Sequence, residues 1–202
     1  TSLNQGIKNA NSGVAMIQMA DKSVDEVSNL LDTMKAKSMQ AANGDNSTAG
    51  MASLKADIEA LSKNIDSIFS DTKYNDTNLL NTAHTFQTGE LAAQKVTVAA
   101  SGLASAGDLG SAIGTVALAS AGDATALMTA VDTAIDTLNT KRSALGAGQL
   151  QLESSVRTNQ VSVVSLQNAE SVIRDTDYAA ESANFNKLNI VSQAGMYAIS
   201  QA

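Results

Sequence analysis

A chain of 202 residues, of which 44% are hydrophobic and 16% charged, can bury a core, which excludes a compositionally disordered protein. Its net charge of -7 and its lack of a basic cluster argue against a nucleic-acid-binding protein. No stretch approaches the roughly 18 consecutive apolar residues of a membrane span, so we expect none. The first residues do not have the layout of a secretory signal, so we expect no Sec-type export. Cysteine is absent, so we expect no disulfide.

The first predicted element is a helix over about residues 2–43. Its apolar and small residues recur at spacings of three and four, which places them on one stripe of a helix. That stripe consists of Leu3, Ile7, Ala10, Val14, Ile17, Ala20, Val24, Val27, Leu31, Met34, Ser38 and Ala41. Proline, which would break such a helix, is absent, and Gly44 is the predicted C-terminal cap.

A second helix is predicted over about residues 48–70, after a short polar loop. Its apolar residues again alternate spacings of three and four, which is typical of a coiled coil. We call the interior row of these helices the seam; here it includes Leu54, Ile58, Leu61 and Ile65, with Met51 and Ile68 at either end. Because the connecting loop is short, the two helices are expected to lie antiparallel.

The polar segment Asp71–Asn78 offers the oxygen ligands that calcium prefers. However, Lys73 occupies a ligand position of a calcium loop and the required glycine is missing, so a turn is predicted. The single histidine, His84, has no cysteine or second histidine with which to bind zinc and is predicted to be a solvated loop residue. We therefore predict no catalytic, cofactor-binding or metal-binding residue, and we expect that the protein is not an enzyme.

Residues 74–122 are predicted to form a β-hairpin and loop region. The hairpin would join the β-like runs "TFQTGE" and "QKVTVAA" through a turn at Gly89. The segment "LASAGD" then occurs at both Leu103–Asp108 and Leu118–Asp123, within a Gly/Ala/Ser-rich sequence that has little capacity to form a core. Two copies are too few for a solenoid, so we interpret them as turn and capping elements on an exposed tip.

The third helix is predicted over about residues 123–173, with Asp123 as its N-cap. Its seam row recurs every seven residues and consists of Val131, Leu138, Leu145, Leu152, Asn159, Leu166 and Ile173. A companion row consists of Met128, Ile135, Arg142, Gln149, Val156, Val163 and Glu170. Asn159 either fixes the register of the seam or lies at its edge. Small residues at Gly146–Gly148 are expected to permit close helix packing, since no strand precedes them as in a dinucleotide-binding loop.

The last stretch, Arg174–Ala202, interrupts the heptad row, and Thr176 or Asp177 can cap a new helix. Glu181 and Lys187 are its only charged residues beyond the predicted cap. Its large apolar residues face several directions. A helix that folds back on the bundle is one interpretation, but the wide apolar coverage and the missing stop signal argue against it.

Several segments resemble bacterial flagellins. "NANSGVAMIQMADKSVDEV" at Asn9–Val27 is similar to the family's first long helix, and "NIDSIFSDTKYNDTNLL" at Asn64–Leu80 to its second helix and following turn. "FQTGE", from Phe86, resembles a family hairpin. "RSALGAGQ" at Arg142–Gln149 and "AESVIRDTDYAAESANFNKLNIVSQAG" at Ala169–Gly195 resemble the C-terminal signatures. The matches follow the family order, and only about residues 99–123 are unmatched.

The resemblance implies a mainly α fold, an elongated antiparallel rod of three long coiled-coil-like helices with a small β-hairpin region at one end. Residues 1–173 would form this rod domain without outer domains, and residues 174–202 a hinge and the start of the C-terminal filament-core helix. The chain would be a fragment lacking the extreme core-helix segments, as its lack of an initial methionine also suggests. The implied function is a self-assembling structural subunit of the extracellular flagellar filament, with a hook–filament junction protein as the alternative.

The implied partners are other flagellin subunits, together with cap, junction and export-chaperone proteins of the flagellar type III route. The expected filament-core contacts are Tyr178, Phe185, Leu188, Val191, Tyr197 and Ile199. Flagellins that activate a host Toll-like receptor carry a basic, an acidic and an aliphatic residue near the end of the first helix. In the matching segment, which includes Asp32, Met34, Lys35, Lys37 and Met39, only the basic residue is kept, at Lys35. We therefore expect weak or no activation of that receptor.

Overall fold

The computed structural model describes residues 2–99, 101–174 and 178–201, and the chain divides into one unit up to Gln160 and a second from Val161. The described residues are mainly helical, with three long helices and small antiparallel strand pairs. The predicted mainly α class with a small hairpin region is therefore confirmed.

Helix α1 spans Ser2–Ala42. Its buried residues follow an unbroken alternation of four and three: Gly6, Ala10, Gly13, Ile17, Ala20, Val24, Val27, Leu31, Met34, Ser38 and Ala41. Three residues of the predicted stripe, Leu3, Ile7 and Val14, are only half-buried, and Gly6 and Gly13 take the interior positions beside the last two. The pattern of hydrophobicity favoured the larger side chains, but the interior positions here admit only small ones.

The C-terminal end of α1 is capped by a side chain and not by glycine. Gly44 does not adopt the left-handed conformation of a C-terminal glycine cap, so that prediction is wrong. Instead the Asn46 amide nitrogen Nδ2 donates to the carbonyl oxygens of Gln40 at 2.7 Å and Asn43 at 2.8 Å. These bonds satisfy carbonyl groups that a helix end leaves without partners.

Helix α2 spans Thr48–Asp71, and Ser47 caps it by accepting a hydrogen bond from the Gly50 backbone at 3.1 Å. Its buried residues are Leu54, Ile58, Ser62, Ile65 and Phe69. Leu61, a predicted seam residue, lies half-buried at the edge of the core, and Ser62 takes the interior position. Ser62 can be buried because its hydroxyl donates to the Ile113 carbonyl oxygen at 2.8 Å.

Two antiparallel strand pairs follow α2. Strands β1 (Lys73–Tyr74) and β2 (Thr77–Asn78) are joined by Asn75 and Asp76, whose φ values of 50° and 62° are those of a tight hairpin turn. Strands β3 (His84–Gln87) and β4 (Lys95–Val98) form the second pair. The predicted turn and hairpin are therefore both confirmed.

His84 is not the solvated loop residue that the sequence suggested. It is half-buried at the start of β3, stacks on Phe86, and its Nε2 lies 3.1 Å from the Asn78 carbonyl oxygen. The hairpin places one of its two faces against the helices, and His84 shares that face with Phe86.

The segment after β4 is packed against α2, which corrects the prediction of an exposed tip. It contains a 3-10 turn at Ala106–Asp108 and the short helix α3 at Ser111–Gly114. Five of its apolar side chains are buried: Leu103, Ala106, Leu109, Ile113 and Leu118. The Asp66 carboxylate accepts from the Ala106 backbone at 2.7 Å and ties the turn to α2. Gly, Ala and Ser lower the mean hydropathy of the segment, but its few large aliphatic residues suffice to cover α2.

Helix α4 spans Ala121–Arg174 and begins two residues before the predicted N-cap. Asp123 lies in its first turn, where its carboxylate accepts from the backbone of Ala119 at 3.0 Å and from the hydroxyl of Ser120 at 3.0 Å. In the first "LASAGD" copy, Asp108 bonds Ala104 and Ser105 in the same way. The expected capping role of the two copies is thus observed, with serine and aspartate sharing it.

The interior of α4 consists of Ala124, Leu127, Val131, Ala134, Leu138, Leu145, Gly148 and Leu152. Four predicted seam residues are among them. The predicted companion residues Met128, Ile135 and Val156 are only half-buried. Beside the first two, Leu127 and Ala134 occupy the interior positions. Leu166 and Ile173 do not lie in a buried seam, because they are 58% and 84% exposed.

The second unit contains the end of α4 and helix α5, which spans Tyr178–Gln201. No residue of α5 is buried. The predicted cap at Thr176 or Asp177 lies outside the described residues, as does most of the predicted hinge.

Candidate functional site

Exposed large apolar side chains concentrate in the second unit. Of the eighteen found among the described residues, thirteen lie at or beyond Val161. Single exposed apolar residues are normal on a protein surface, but a concentration of them marks a site of association. The candidate functional site is therefore this apolar surface, which we call the C-terminal apolar surface.

All six residues predicted from the flagellin resemblance as core contacts belong to the C-terminal apolar surface. They are Tyr178, Phe185, Leu188, Val191, Tyr197 and Ile199, and the least exposed of them, Val191, is still 59% exposed. Only Glu181 and Lys187 carry charge within α5. None of these apolar side chains is buried within the described residues, so each can contact another protein surface.

The prediction missed further members of the same surface. Val161, Val164, Val172, Ile190 and Met196 are also exposed, by 54% to 86%. The apolar character of each could be read in the sequence, but not its exposure, because a pattern of hydrophobicity does not reveal whether another part of the fold covers a residue.

The first unit holds its hairpin against glycines of two helices. A Cβ atom at Gly6 would lie 2.8 Å from the Thr88 carbonyl carbon and closer still to its oxygen, and one at Gly13 would lie 3.0 Å from the ring of Phe86. A Cβ at Gly148 would lie 3.0 Å from a methyl carbon of Val98. Gly148 thus permits the approach of a strand, which corrects the expectation that it serves helix packing.

Asn159 has a role that neither predicted alternative describes. It is half-buried, and its amide Nδ2 donates to the Thr88 carbonyl oxygen at 2.5 Å. The same carbonyl group lies against Gly6. Asn159 therefore anchors the hairpin to α4 beside α1.

Arg142 of α4 forms ion pairs with two carboxylates of α1. Arg142 of α4 contacts Asp21 through Nε at 2.7 Å and Asp25 through Nη1 at 2.9 Å. Its hydrogen bond and charge interaction with Asp21 raise the pKa of the Arg142 guanidinium, with Asp25 contributing less. All three side chains are partly exposed, so the pairing specifies orientation more than it stabilises the fold.

The segment that resembles a receptor-recognition site is largely engaged within the first unit. Lys35 pairs with Asp132 of α4 at 2.5 Å, and Lys37 pairs with Asp57 of α2 at 2.8 Å. Met34 is fully buried. Of the five residues that the sequence singled out, this leaves Asp32 and Met39 exposed.

Features of other functional classes are sparse within the described ranges. In those ranges no cluster of three or more metal-ligating side chains occurs, and no helix is long and apolar enough to cross a membrane. The cavity beside the β3–β4 hairpin, lined by Met16, Phe86, Leu145 and their neighbours, has a volume of about 10 Å³. That is about the space of one water molecule and holds no larger ligand.

The matches to family models and to individual relatives point to the same protein family. Residues 1–85 match the family described as bacterial flagellin N-terminal helical region, and residues 128–202 match the bacterial flagellin C-terminal helical region. The chain is 31% identical to the flagellar filament 33 kDa core protein of Treponema phagedenis, over 99% of the chain and 76% of the relative. It is 30% identical to a flagellin of Halalkalibacterium halodurans, over 99% of the chain and 74% of the relative.

A solved structure supports the fold. The crystal structure of Bacillus cereus flagellin is similar with a TM-score of 0.66 at 23% identity, over 75% of this chain and 88% of that one. The two family matches together cover both helical ends of the chain in sequence order, and the named relatives are flagellins and filament core proteins rather than junction proteins. The chain therefore belongs to the bacterial flagellins and is a structural subunit of the extracellular flagellar filament.

Proposed function

We propose that this flagellin assembles with other flagellin subunits through its C-terminal apolar surface. In this proposal residues 1–173 act as the rod domain, and residues 174–202 act as the hinge and the start of the filament-core helix. The contacts of that helix are Tyr178, Phe185, Leu188, Val191, Tyr197 and Ile199. The observation that supports it most is that α5 buries no residue within the described ranges although it carries large apolar side chains.

The energetic argument is that of hydrophobic association. Burial of apolar surface contributes roughly 25 cal/mol per Å², and aromatic residues supply most area per residue at an interface. The protein has three phenylalanines, three tyrosines and no tryptophan. Three of these six aromatic residues, Tyr178, Phe185 and Tyr197, lie in α5. Burial of these rings between subunits would therefore supply a large part of the association energy.

The proposal predicts that Phe185→Ser and Leu188→Ser abolish or greatly slow polymerisation onto filament seeds, measured by electron microscopy and sedimentation. Because both side chains are exposed in the single subunit, the variants should retain the helical content and unfolding temperature of the unmodified protein. Leu91→Ser is the matched control, since Leu91 is as exposed as Phe185 but lies in the hairpin loop. Normal polymerisation of Phe185→Ser, or equal loss in Leu91→Ser, would contradict the proposal.

We also propose that the flagellar type III route exports the protein and that it meets cap, junction and export-chaperone proteins during assembly. Membership of the flagellin family supports this. We further propose that the protein is not an enzyme, which is supported by the structural role of that family.

Recognition by the host flagellin-sensing Toll-like receptor is proposed to be weak or absent. Of the basic, acidic and aliphatic residues of the activating pattern, the matching segment keeps only the basic one, Lys35, which is paired with Asp132. Lys37 stands where activating members carry an aliphatic side chain, and it is paired with Asp57. In a cell reporter assay the purified protein should give little signal beside an activating flagellin, and full-strength signalling would refute this proposal.

A further inference from the structure

We propose that Asn43, in the turn between α1 and α2, is a site of spontaneous deamidation and isomerisation. Asn43 follows the last helical residue of α1 and is directly followed by Gly44. Both residues are exposed. A Cβ at Gly44 would meet no atom within 4 Å, so this face of the glycine is open. The carbonyl oxygen of the Asn43–Gly44 peptide accepts a hydrogen bond from Asn46 Nδ2 at 2.8 Å.

The second asparagine of the same turn provides an internal contrast. Asn46 donates its side-chain amide to three carbonyl groups, those of Gln40, Ala41 and Asn43. It is followed by Ser47, whose Cβ crowds the peptide nitrogen and whose hydroxyl caps α2. Reaction at Asn46 would break these bonds, so the modification should be confined to Asn43.

The reaction uses only the protein and water. The backbone nitrogen of Gly44, on losing its proton, attacks the amide carbon Cγ of Asn43. A bond forms between the Gly44 nitrogen and Cγ, the bond from Cγ to Nδ2 breaks, and ammonia leaves with the proton. Water then opens the resulting succinimide. Cleavage of the bond from Cγ to the Gly44 nitrogen gives aspartate. Cleavage of the bond from the Asn43 backbone carbonyl carbon to the same nitrogen gives isoaspartate, in which the backbone passes through Cβ and Cγ.

The product would weaken the end of α1. The new carboxylate would stand at a helix C-terminus, where the helix dipole disfavours negative charge. The last turn of α1 contains no basic residue, and Asp45 already places a carboxylate in this turn. Isoaspartate would also lengthen the backbone at the reversal between two packed helices. Asn43→Asp should therefore unfold at a lower temperature than Asn43→Gln; equal unfolding temperatures would overturn this consequence.

The site itself is tested by incubating the purified protein at mildly alkaline pH and mapping its peptides by mass spectrometry. Isoaspartyl methyltransferase labelling would detect the isomerised product. We expect the amide-to-acid mass shift in the peptide containing Asn43, and loss of that shift in Gly44→Ala, where the open surroundings accept a Cβ. The proposal would be overturned if Asn43 stayed unmodified under conditions that convert a synthetic peptide of the same sequence. An equal mass shift at Asn46, or an undiminished mass shift in Gly44→Ala, would also overturn it.

Discussion

At the scale of single residues, glycine has two opposite roles in this protein. Gly6, Gly13 and Gly148 are buried where the hairpin meets the helices, and each leaves space that a Cβ would fill. Gly146, only two residues from Gly148, is exposed, and a Cβ added there would meet no atom within 4 Å outside its own helix backbone. The same residue type therefore permits tertiary contact at one position and only weakens the helix at another.

This difference predicts opposite effects of alanine. Gly6→Ala should lower the free energy of unfolding by about 1–3 kcal/mol, because the methyl group would overlap the Thr88 backbone, which cannot move without displacing the hairpin. Gly146→Ala should raise it by about 1 kcal/mol, the usual gain of alanine over glycine in a helix. Chemical denaturation measures both. If Gly6→Ala stabilised the protein as much as Gly146→Ala, the close hairpin contact would be disproved.

At the scale of elements, the repeated "LASAGD" segment shows how a short sequence can define a helix start twice. In each copy the aspartate reaches back to backbone N–H groups at the beginning of a helical turn. At the start of α4 the hydrogen bonds from the Ala119 backbone and the Ser120 hydroxyl lower the pKa of Asp123. The carboxylate thus stabilises α4 most when it is ionised.

That shift predicts a pH-dependent effect of Asp123→Asn. A pKa lowered in the folded state means that stabilisation is fully present above the unfolded aspartate value of about 3.9 and is lost as the pH falls through the folded value. The unmodified protein should therefore unfold at a higher temperature than Asp123→Asn at neutral pH, and the gap should close in acid. Asp136→Asn, which removes an exposed carboxylate from the middle of α4, controls for loss of charge alone. A gap that persists unchanged in acid would argue against the capping explanation.

At the scale of the whole molecule, the region between β4 and α4 lies between the two segments that match the flagellin family. In the described ranges this region contains one 3-10 turn and the short helix α3, and Leu103, Leu109, Ile113 and Leu118 are buried in the core of the first unit. Asp66 and Ser62 of α2 hold it by hydrogen bonds. It is therefore part of that core and does not form a separate outer domain.

From this we predict a smooth and thin filament. Because the middle of the sequence is packed on α2, it leaves no independent domain to project from an assembled subunit. Electron microscopy of assembled filaments, with averaging along the filament, measures the outer surface directly. Large projecting lobes in the averaged density would contradict this prediction.

The sequence predicted the helices and the hairpin well because their signals are local. The alternation of spacings in α1 and the turn residues at Asn75 and Asp76 depend only on neighbours along the chain. The same logic failed at Gly6 and Gly13, where the interior residue is less hydrophobic than its neighbour. It also failed for the segment after β4, whose low hydropathy concealed five buried residues. In both cases the deciding contact comes from residues distant in sequence.

For the candidate site, sequence alone determined that the C-terminal stretch is helical, apolar and sparsely charged, since these properties belong to its own residues. The family resemblance led to the proposal that six side chains of this stretch contact other subunits. Only the tertiary structure decided that α5 buries none of its side chains, that Asn159 anchors the hairpin, and that Lys35 and Lys37 are paired within the first unit. The physical reason is that burial and ion pairing each require a second segment of the fold, which is distant in sequence. The pattern of residues along one segment does not show which other segment contacts it.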